Sequence, residues 1–531
     1  MPVNIHAFKN DKEEKIMKKL LIVLVVMSLV CWNIFAGGGS QAQATGVAAE
    51  DKMFNVIMSA SFTGFDPLRT NDSASTYVNA QIYETLYRLP PGTTEFTCLL
   101  AEKLPEFSAD GRQATIKLRE GIKFHDGTPF NAEAVKYTIE LIKDPKFGSA
   151  RASIASSIER VEVLSEYTLR LHLSYVDGVL TAKLAHTNSA IVSPTAQKIQ
   201  DLMVRPVGTG AYKFVSSISG ANVILVRNDE YWGPKPAIKN VTMTVIADES
   251  TALARMETGE GDFFVVLPVP SVGRSRSIRG ITTGSSESAG MFYLNPRPNS
   301  WKNSKMADLN FRIAIAKSID IKGFVDHVVT GYGIPAHSVM GPQIYGYDPN
   351  ANAGYPFDLA GAKKLITDNR WENEELLLLV PSTPVYIPMG EYVQANLKAA
   401  GFNNVRLELI DWAAWLEESK IPNRYDLTLG GWSNVTRDGS ELFEPNWHSK
   451  NSALRFFIDS QEVDNLILAS KSTAVPADRI KALRALDELI MRQVYTIPLY
   501  HSANLFCYNN MYGNVDRDAG GTFYVKDFII K

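Results

Sequence analysis

The chain has 531 residues, 45% of them hydrophobic and 21% charged, and a formal net charge of -3 from 54 basic and 57 acidic residues. That is ordinary globular composition, too long for one hydrophobic core and suited to two or three lobes. No run of like charge stands out, which argues against a nucleic-acid partner, since phosphates are bound by a concentrated basic surface. Aromatic residues reach 10%, with 8 Trp and 21 Tyr, and would suit a stacking or apolar cleft.

The N-terminus has the pattern of an export signal. Lys18 and Lys19 precede an apolar run over 20–30, followed by Cys31 to Ala36 and then Gly37, Gly38 and Gly39. A basic start, a short apolar stretch and a small residue before a polar tract mark a cleaved signal peptide. Residues 1–36 are expected to be removed after Ala36, with Ala44 as the second option. Met17 is an alternative start, and 37–50 is expected to be a flexible lead-in. A lipid anchor at Cys31 is the less favoured alternative, because Val30 stands where such a signal has a small residue. The apolar run is too short to span a bilayer comfortably, and no other segment approaches the roughly 20 residues needed. Beyond Cys31 only Cys98 and Cys507 remain, and nothing in the sequence brings them together, so two buried free thiols are expected.

In chain order, 54–58 has the pattern of a strand, followed by the Ser-, Thr- and Asn-rich loop SASFTGFDPLRTNDSAS. Val78, Ile82 and Leu86 at helical spacing predict a helix over 77–87, stopped by Pro90-Pro91-Gly92. A strand over 114–118 leads to the turn Phe124-His125-Asp126-Gly127-Thr128-Pro129 and a helix over 133–142 that Asn131 caps. Strands over 158–164 and 168–173 complete what reads as a self-contained α+β piece. Gly208 and Gly210, two residues apart before an alternating strand, mark a tight backbone passage between pieces. Strands over 223–227 and 241–246, a helix over 250–257 ending at Gly259, and a strand from Gly261 make a β-α-β unit. A strand over 291–294 and an amphipathic helix over 310–319 follow. Helices over 360–367, 391–400 and 413–419, interleaved with strands over 376–380 and 405–409, predict a second α/β lobe. A long helix over 475–494 and a strand over 495–500 close the pattern, the strand returning to the first lobe.

The constellations that catalysis needs are missing: there is no G-x-S-x-G, no H-E-x-x-H and no G-x-x-x-x-G-K-[ST]. Gly208-Thr209-Gly210 lacks the third glycine of a dinucleotide fingerprint and precedes a strand instead of a helix. No cofactor and no metal are expected. The stretch Asp426 to Gly439, DLTLGGWSNVTRDG, is the most suggestive one. Tyr425, Leu427 and Leu429 alternate as a buried strand that is expected to break at Gly430 and Gly431, displaying Trp432 beside Ser433 and Asn434. An aromatic face with polar groups at its edge suits a ligand wall; a core Trp with a surface loop fits the same pattern.

Several stretches together resemble the peptide/nickel class of ABC-transporter solute-binding proteins, extracytoplasmic family 5. They include LAEKLPEFSADGRQATIKLREGIKFHDGTPFNAEAVKYTI, RPVGTGAYKF, RNDEYWGPKPAIKNVTMTVIADESTALARMETGEGDF, NFRIAIAKSID, DWAAWL, GGWSN and YTIPLY, in that order from about residue 54 to residue 500. The resemblance implies an α/β fold of two lobes in a clamshell, with an extra α+β domain inserted in the first. Lobe I is then expected at 51–83, 205–296 and 498–531, the inserted domain at 84–204 and lobe II at 297–497, with hinge crossings near Asn295 and Ile497.

It also implies a binding role without catalysis: an exported, periplasmic monomer that captures a peptide or dipeptide-like solute and delivers it to membrane permease subunits. An oligosaccharide is the alternative solute, with Trp412, Trp432 and Trp447 as sugar platforms, and an exported hydrolase is the rival of another class. Carried over position by position, the implied ligand contacts are Thr70, Asn71 and Asp72 after the early Asp-Pro, Trp412 of the d-W motif, and Trp432, Ser433, Asn434 and Val435. Asp72 also fits a plain helix cap, and Trp415 core packing. One departure stands out. Where many peptide-binding members have an Asp that pairs with the peptide's α-ammonium, this chain has Val435, leaving Asp438 or Asp72 as possible substitutes.

Overall fold

Among the described residues one mixed sheet of eleven strands, between Met53 and Asn509, carries the loop singled out above. The computed structural model describes residues 51–297, 304–421, 423–450 and 458–531. The expected signal peptide, Cys31 and the segment 37–50 lie outside the described residues. The sheet's strands are β1 (Met53–Met58), β2 (Tyr212–Ile218), β3 (Asn222–Arg227), β4 (Asn240–Val245), β5 (Phe263–Phe264), β6 (Ile281–Pro296), β7 (Ile334–Pro335), β8 (Glu375–Pro381), β9 (Asn404–Ile410), β10 (Leu427–Ser433) and β11 (Ile497–Asn509). Their spatial order is β9-β8-β10-β6-β11-β5-β1-β4-β3-β2, with β7 pairing β11.

In the first half, β4 and β5 lie parallel on either side of β1, joined by the helix Glu249–Thr258. Asp248 starts that helix by accepting from the Thr251 N–H, and Gly259 ends it in the left-handed conformation at φ 76. In the second half, β8 is apolar almost throughout (ELLLLVP), as a strand buried on both faces must be, and pairs parallel with β9 and β10.

The two halves share β6 and β11. These antiparallel strands pair from Ile281 opposite Asn509 to Leu294 opposite Ile497, with breaks in register between Glu287 and Met291 and between Phe292 and Tyr293. At one end they flank the core of Phe54, Val56, Phe263 and Phe506, and at the other the core of Leu294, Phe324, Leu378 and Leu499. Both strands are longer than sequence periodicity predicts. The segment 281–290, ITTGSSESAG, has no apolar alternation, and its strand conformation comes from pairing with β11, not from its own side chains.

The glycine pair is a second correction. The strand does not break at Gly430 and Gly431 but continues to Ser433, with Gly430 opposite Tyr293 and Gly431 opposite Phe292. A Cβ on Gly430 would lie 2.7 Å from the Tyr293 ring, and one on Gly431 3.2 Å from the Phe292 ring. These glycines make room for aromatic neighbours on the adjoining strand instead of making a turn. The helix predicted over 77–87 runs Ser73–Ile82, because Asp72 caps it early: its side chain accepts from the Ser75 N–H. Cys98 is half-buried and Cys507 buried, and both are free.

Residues 84–204 build an antiparallel sheet of Glu106–Phe107, Gln113–Lys117, Thr168–Leu173 and Ile158–Ser165, with the helix Ala132–Lys143 capped by Asn131. They do not close on themselves as a self-contained piece. Leu86, Tyr87, Leu100 and Ile116 belong to the same core as Phe54 of β1 and Tyr212 of β2. Buried Glu84 locks the junction, accepting from Thr209 Oγ1 at 3.0 Å, Tyr231 OH at 2.6 Å and Trp232 Nε1 at 2.7 Å. The glycine passage is as tight as its spacing suggests. The Gly210 N–H donates to the Ile82 carbonyl at 2.8 Å, and His125, half-buried with its pKa lowered to about 4 by desolvation, meets the Gly210 carbonyl at 2.8 Å through Nε2. A Cβ on Gly208 or Gly210 would lie 2.2 or 2.6 Å from the Ile82 carbonyl oxygen, a backbone atom that cannot swing aside. Gly210→Ala is therefore expected to cost about 1–3 kcal/mol, the usual penalty of forced overpacking. Denaturant titration checks this, and an unchanged midpoint would show that the passage has slack.

Candidate functional site

β10 ends at a loop whose shape is set by its own polar groups. Asn434 is buried: its N–H donates to the Ala289 carbonyl at 3.1 Å, its Nδ2 to the Asp438 carbonyl at 2.7 Å, and its Oδ1 accepts from Thr436 Oγ1 at 3.0 Å. Asp438 caps the helix Gly439–Trp447, accepting from the Ser440 N–H at 2.9 Å, and both its oxygens accept from Arg479 Nη2, at 2.8 and 2.7 Å. Held from both ends, the loop leaves Val435 exposed at its apex and places Arg437 in the left-handed region at φ 56.

Arg437 crosses to the other half of the molecule. Its guanidinium donates to the carbonyls of Leu89, Pro90 and Thr93, and the Arg side chain is buried. Burial lowers its pKa, and among the described residues no carboxylate lies within ion-pairing distance of it. A second crossing, Gly178 N–H to the Lys471 carbonyl at 2.9 Å, lies beside a buried ion pair of Lys183 and Asp177 at 2.8 Å. Glu441 sits near that pair, its pKa raised by burial and drawn back by Lys183.

Between the crossings is a small cavity of ≈ 40 Å³ lined by Arg88, His186, Val435, Arg437, Asp518 and Tyr524 among others. On this measure one water needs about 10–15 Å³, so in this arrangement the cavity has room for a few waters or one small group and not for a whole peptide. Arg88 stacks over Tyr524 at 3.8 Å and pairs with Asp527 at 2.9 Å. His186 is buried, and desolvation lowers its pKa to about 3. Asp518 is raised by burial and opposed by Arg437, Arg88 and Arg517, while its Oδ1 accepts from the Thr522 N–H at 3.0 Å. A larger hollow of ≈ 180 Å³, lined by Ala316, Ile321, Tyr355 and Met491 among others, lies in the second half, and no Asp, Glu, Lys or Arg lines it. Among the described residues no group of three or more His, Cys, Asp or Glu could hold a metal, and no helix is long and apolar enough to cross a membrane.

The family model of bacterial extracellular solute-binding proteins, family 5, matches residues 95–453. The chain belongs to that family. The glutathione-binding protein GsiB of Shigella flexneri is 27% identical over 485 residues, which is 86% of this chain and 91% of that one. Among solved structures, the ABC transporter substrate-binding protein CtaP of Listeria monocytogenes superposes with a TM-score of 0.81 at 18% identity, covering 90% of this chain and 99% of that one. A dipeptide-binding protein from Pseudoalteromonas sp. SM9913, in complex with Met-Leu, gives a TM-score of 0.72 at 22% identity, covering 90% of this chain and 100% of that one. The fold is thus the α/β, two-lobed clamshell of periplasmic binding proteins.

Within this family-5 fold the residues singled out from sequence fall into two groups. Thr70, Asn71 and Asp72 hold their own loop. Thr70 Oγ1 donates to the Asp66 carbonyl at 2.8 Å, Asn71 Oδ1 accepts from Arg151 Nε at 3.1 Å, and Asp72 caps its helix while accepting from Thr63 Oγ1 at 2.5 Å. With Asp72 and Asp438 both engaged, neither is a spare carboxylate at the position Val435 vacates. The second group is more open. Trp412 is 42% exposed and stacks on Trp415 at 5.2 Å and Tyr386 at 6.0 Å; Ser433 is exposed; Trp432 is half-buried, with an indole N–H that is buried and unpartnered among the described residues. Trp415 is core, donating to Thr428 Oγ1 at 3.0 Å, and Trp447 is fully buried, which removes it from any sugar platform. Arg88, His186 and Asp518 were not singled out, since they come from three distant segments with no motif between them; Arg437 was in the stretch but unremarkable as one polar residue of a loop.

The Arg437 crossing makes a prediction. Each charge-assisted bond is worth about 1.5–3 kcal/mol, so Arg437→Ala should shift the empty protein toward an open form. Small-angle scattering should then give a larger radius of gyration for the variant, and identical curves would show that Arg437 does not hold the halves together.

Proposed function

We propose that this protein is the extracytoplasmic binding component of an ABC importer, and that it captures a peptide or dipeptide-like solute between its lobes without chemical conversion. The carrying observation is the Asn434–Asp438 loop of the second half reaching the 89–93 segment of the first around a small charged cavity. A solute seated there touches both halves only when they are together, so binding shifts the population toward the closed form that a permease engages. The moving bodies in this reading are 51–83, 205–296 and 498–531 with the insert 84–204 on one side, and 297–497 on the other. The protein acts outside the cytoplasm, as its family does. The names of the relatives, a glutathione-binding and a dipeptide-binding protein, support peptide-like cargo.

Of the residues considered, Trp412, Trp432, Ser433 and Val435 form the solute-facing wall in this proposal, while Thr70, Asn71, Asp72 and Asn434 shape the loops behind it. An oligosaccharide is less well served, because burial of Trp447 leaves two of three aromatic platforms. The test is thermal shift on the purified protein against short peptides, glutathione, oligosaccharides and metal chelates. A saturable rise with peptides or glutathione is expected, following RT ln(1 + [L]/Kd); a response to sugars alone would overturn the peptide reading. Trp432→Ala should weaken that binding at least about 10-fold while lowering the melting temperature of the empty protein by only about 3 °C, since the ring is half-buried. Severe destabilisation with intact binding would make Trp432 a core residue.

A further inference from the structure

The larger, apolar hollow of the second half lies beside the first residues of β11. It measures ≈ 180 Å³, and its wall includes Ala316, Ile321, Tyr355, Met491, Val494 and Ile497. The loop at the end of β10 is remote from it. Ile497 pairs with Leu294 and Leu294 with Leu429, and β10 runs four more residues before it reaches Ser433. Each strand residue adds about 3.4 Å, which puts about 14 Å of strand between the hollow and that loop.

The sequence builds this space with small residues on a fixed frame. Ala316 and Ala336 on the wall are 5% and 1% exposed, so the hollow is bounded by methyl groups where a longer aliphatic side chain would close it. The segment 348–358 that runs past it is pinned at both ends. The Asp358 N–H donates to the Lys317 carbonyl at 2.9 Å, and its carboxylate accepts from Lys317 Nζ at 2.8 Å. At the other end Arg484 donates to the Tyr347 carbonyl at 3.1 Å and pairs with Asp348 at 3.5 Å. Between these ends the Tyr355 hydroxyl donates to the Arg492 carbonyl at 3.2 Å. The frame is therefore set before anything enters it.

The lining decides what fits. Its polar residues are His337, Asn352 and Thr496, and it holds no charged side chain of Asp, Glu, Lys or Arg. The charges nearby line an adjoining hollow, which shares Ala351, Asn352 and Met491 with this one, and there Arg484 pairs with Asp348 and Arg492 with Glu488. An ion in the apolar hollow would lose water and gain no partner, whereas an apolar group gains by leaving water. An apolar cavity of about 150 Å³ takes up benzene, so this one has room for a single ring. We propose that the hollow is a second ligand site, apart from the loop at the end of β10, and that it takes one uncharged aromatic or branched aliphatic group of a small molecule. Val494, Thr496 and Ile497 on its wall lead directly into β11, so an occupant packs against the point where the chain crosses between the halves.

Fluorobenzene is the probe. Added to the intact protein, it should shift or broaden its fluorine resonance saturably and raise the melting temperature by about 2 °C at saturation. Ala316→Leu fills the hollow from the helix Leu309–Ser318, and Ala351→Leu fills it from the pinned segment. Each should weaken probe binding at least about 10-fold while leaving the affinity for any peptide within about 3-fold. A crystal of the unaltered protein soaked in the probe should show the ring between Ala316 and Val494. No saturable response, a ring seated elsewhere in that crystal, or a response that both filled variants keep would each overturn the proposal. Because the soaked crystal holds the unaltered chain, a variant that fails to fold does not blunt the test. Probe and peptides are titrated separately, so failure of the peptides to bind leaves this site standing, and failure of the probe leaves peptide capture standing.

Discussion

The structure depends on the pairing of β6 with β11. β11 runs from the first core, at Phe506, to the second, at Leu499 and Ile497, where Leu294 of β6 joins it, and the register of the pair sets how the two halves are joined. Ile281 to Glu287 pair with Ala503 to Asn509 beside the first core; Met291 to Leu294 pair with Ile497 to His501 beside the second. Between them the register slips at Ser288, Ala289 and Gly290. A break in the ladder is where an antiparallel pair bends most easily, and the Ala289 N–H and carbonyl at this break are spent on Ala519 and Asn434. The site loop, the C-terminal segment with Asp518 and the register break of the shared strands are thus wired together through one residue's backbone. Movement of one half about this pair necessarily moves the loop at the end of β10, which is bonded along β6 for seven residues.

Much of what makes this chain recognisable is committed to holding the first half together. Glu84 gathers Thr209, Tyr231 and Trp232, and Lys526 approaches it at 3.4 Å, so that one buried carboxylate ties the insert to the glycine passage, the Tyr-Trp turn and the C-terminus. Burial of a carboxylate is tolerated only when its lone pairs are filled, and here they are. The Phe124 to Pro129 turn serves the same passage through His125. Motifs of this kind are strict because they pack backbone against backbone, and they say nothing about the solute.

That division explains what was legible in the sequence. Elements whose own side chains carry the pattern were found within a residue or two: β8 and β9, the strand Thr168–Leu173, the helix Ala132–Lys143 under Asn131. The first ten residues of β6 were not, because ITTGSSESAG owes its conformation to a partner more than 200 residues away. Gly430 and Gly431 misled for a related reason: glycine signals either a turn or a neighbour's bulk, and only the facing Tyr293 and Phe292 decide between them. In the site, the GW stretch and the missing carboxylate at Val435 were visible as local sequence. Arg88, His186 and Asp518 were not, since a cavity assembled from the insert, the C-terminal segment and a loop of the other half has no spacing to read.

The energetics of closing follow from the same cavity. In this arrangement Arg437 is buried against three carbonyls, and Asp518 and His186 are buried too. Arg437 and His186 shift downward and Asp518 upward, each chiefly from desolvation, whereas Arg88 shifts upward, its desolvation outweighed by Tyr524, Asp527 and Asp518. Closure of the empty protein therefore carries an electrostatic cost that hydrogen bonds to neutral carbonyls offset only in part. In the proposed capture, a solute held between the halves adds contacts in the closed state that the open state does not offer. Differential stabilisation of this sort is the only way a ligand can move such an equilibrium.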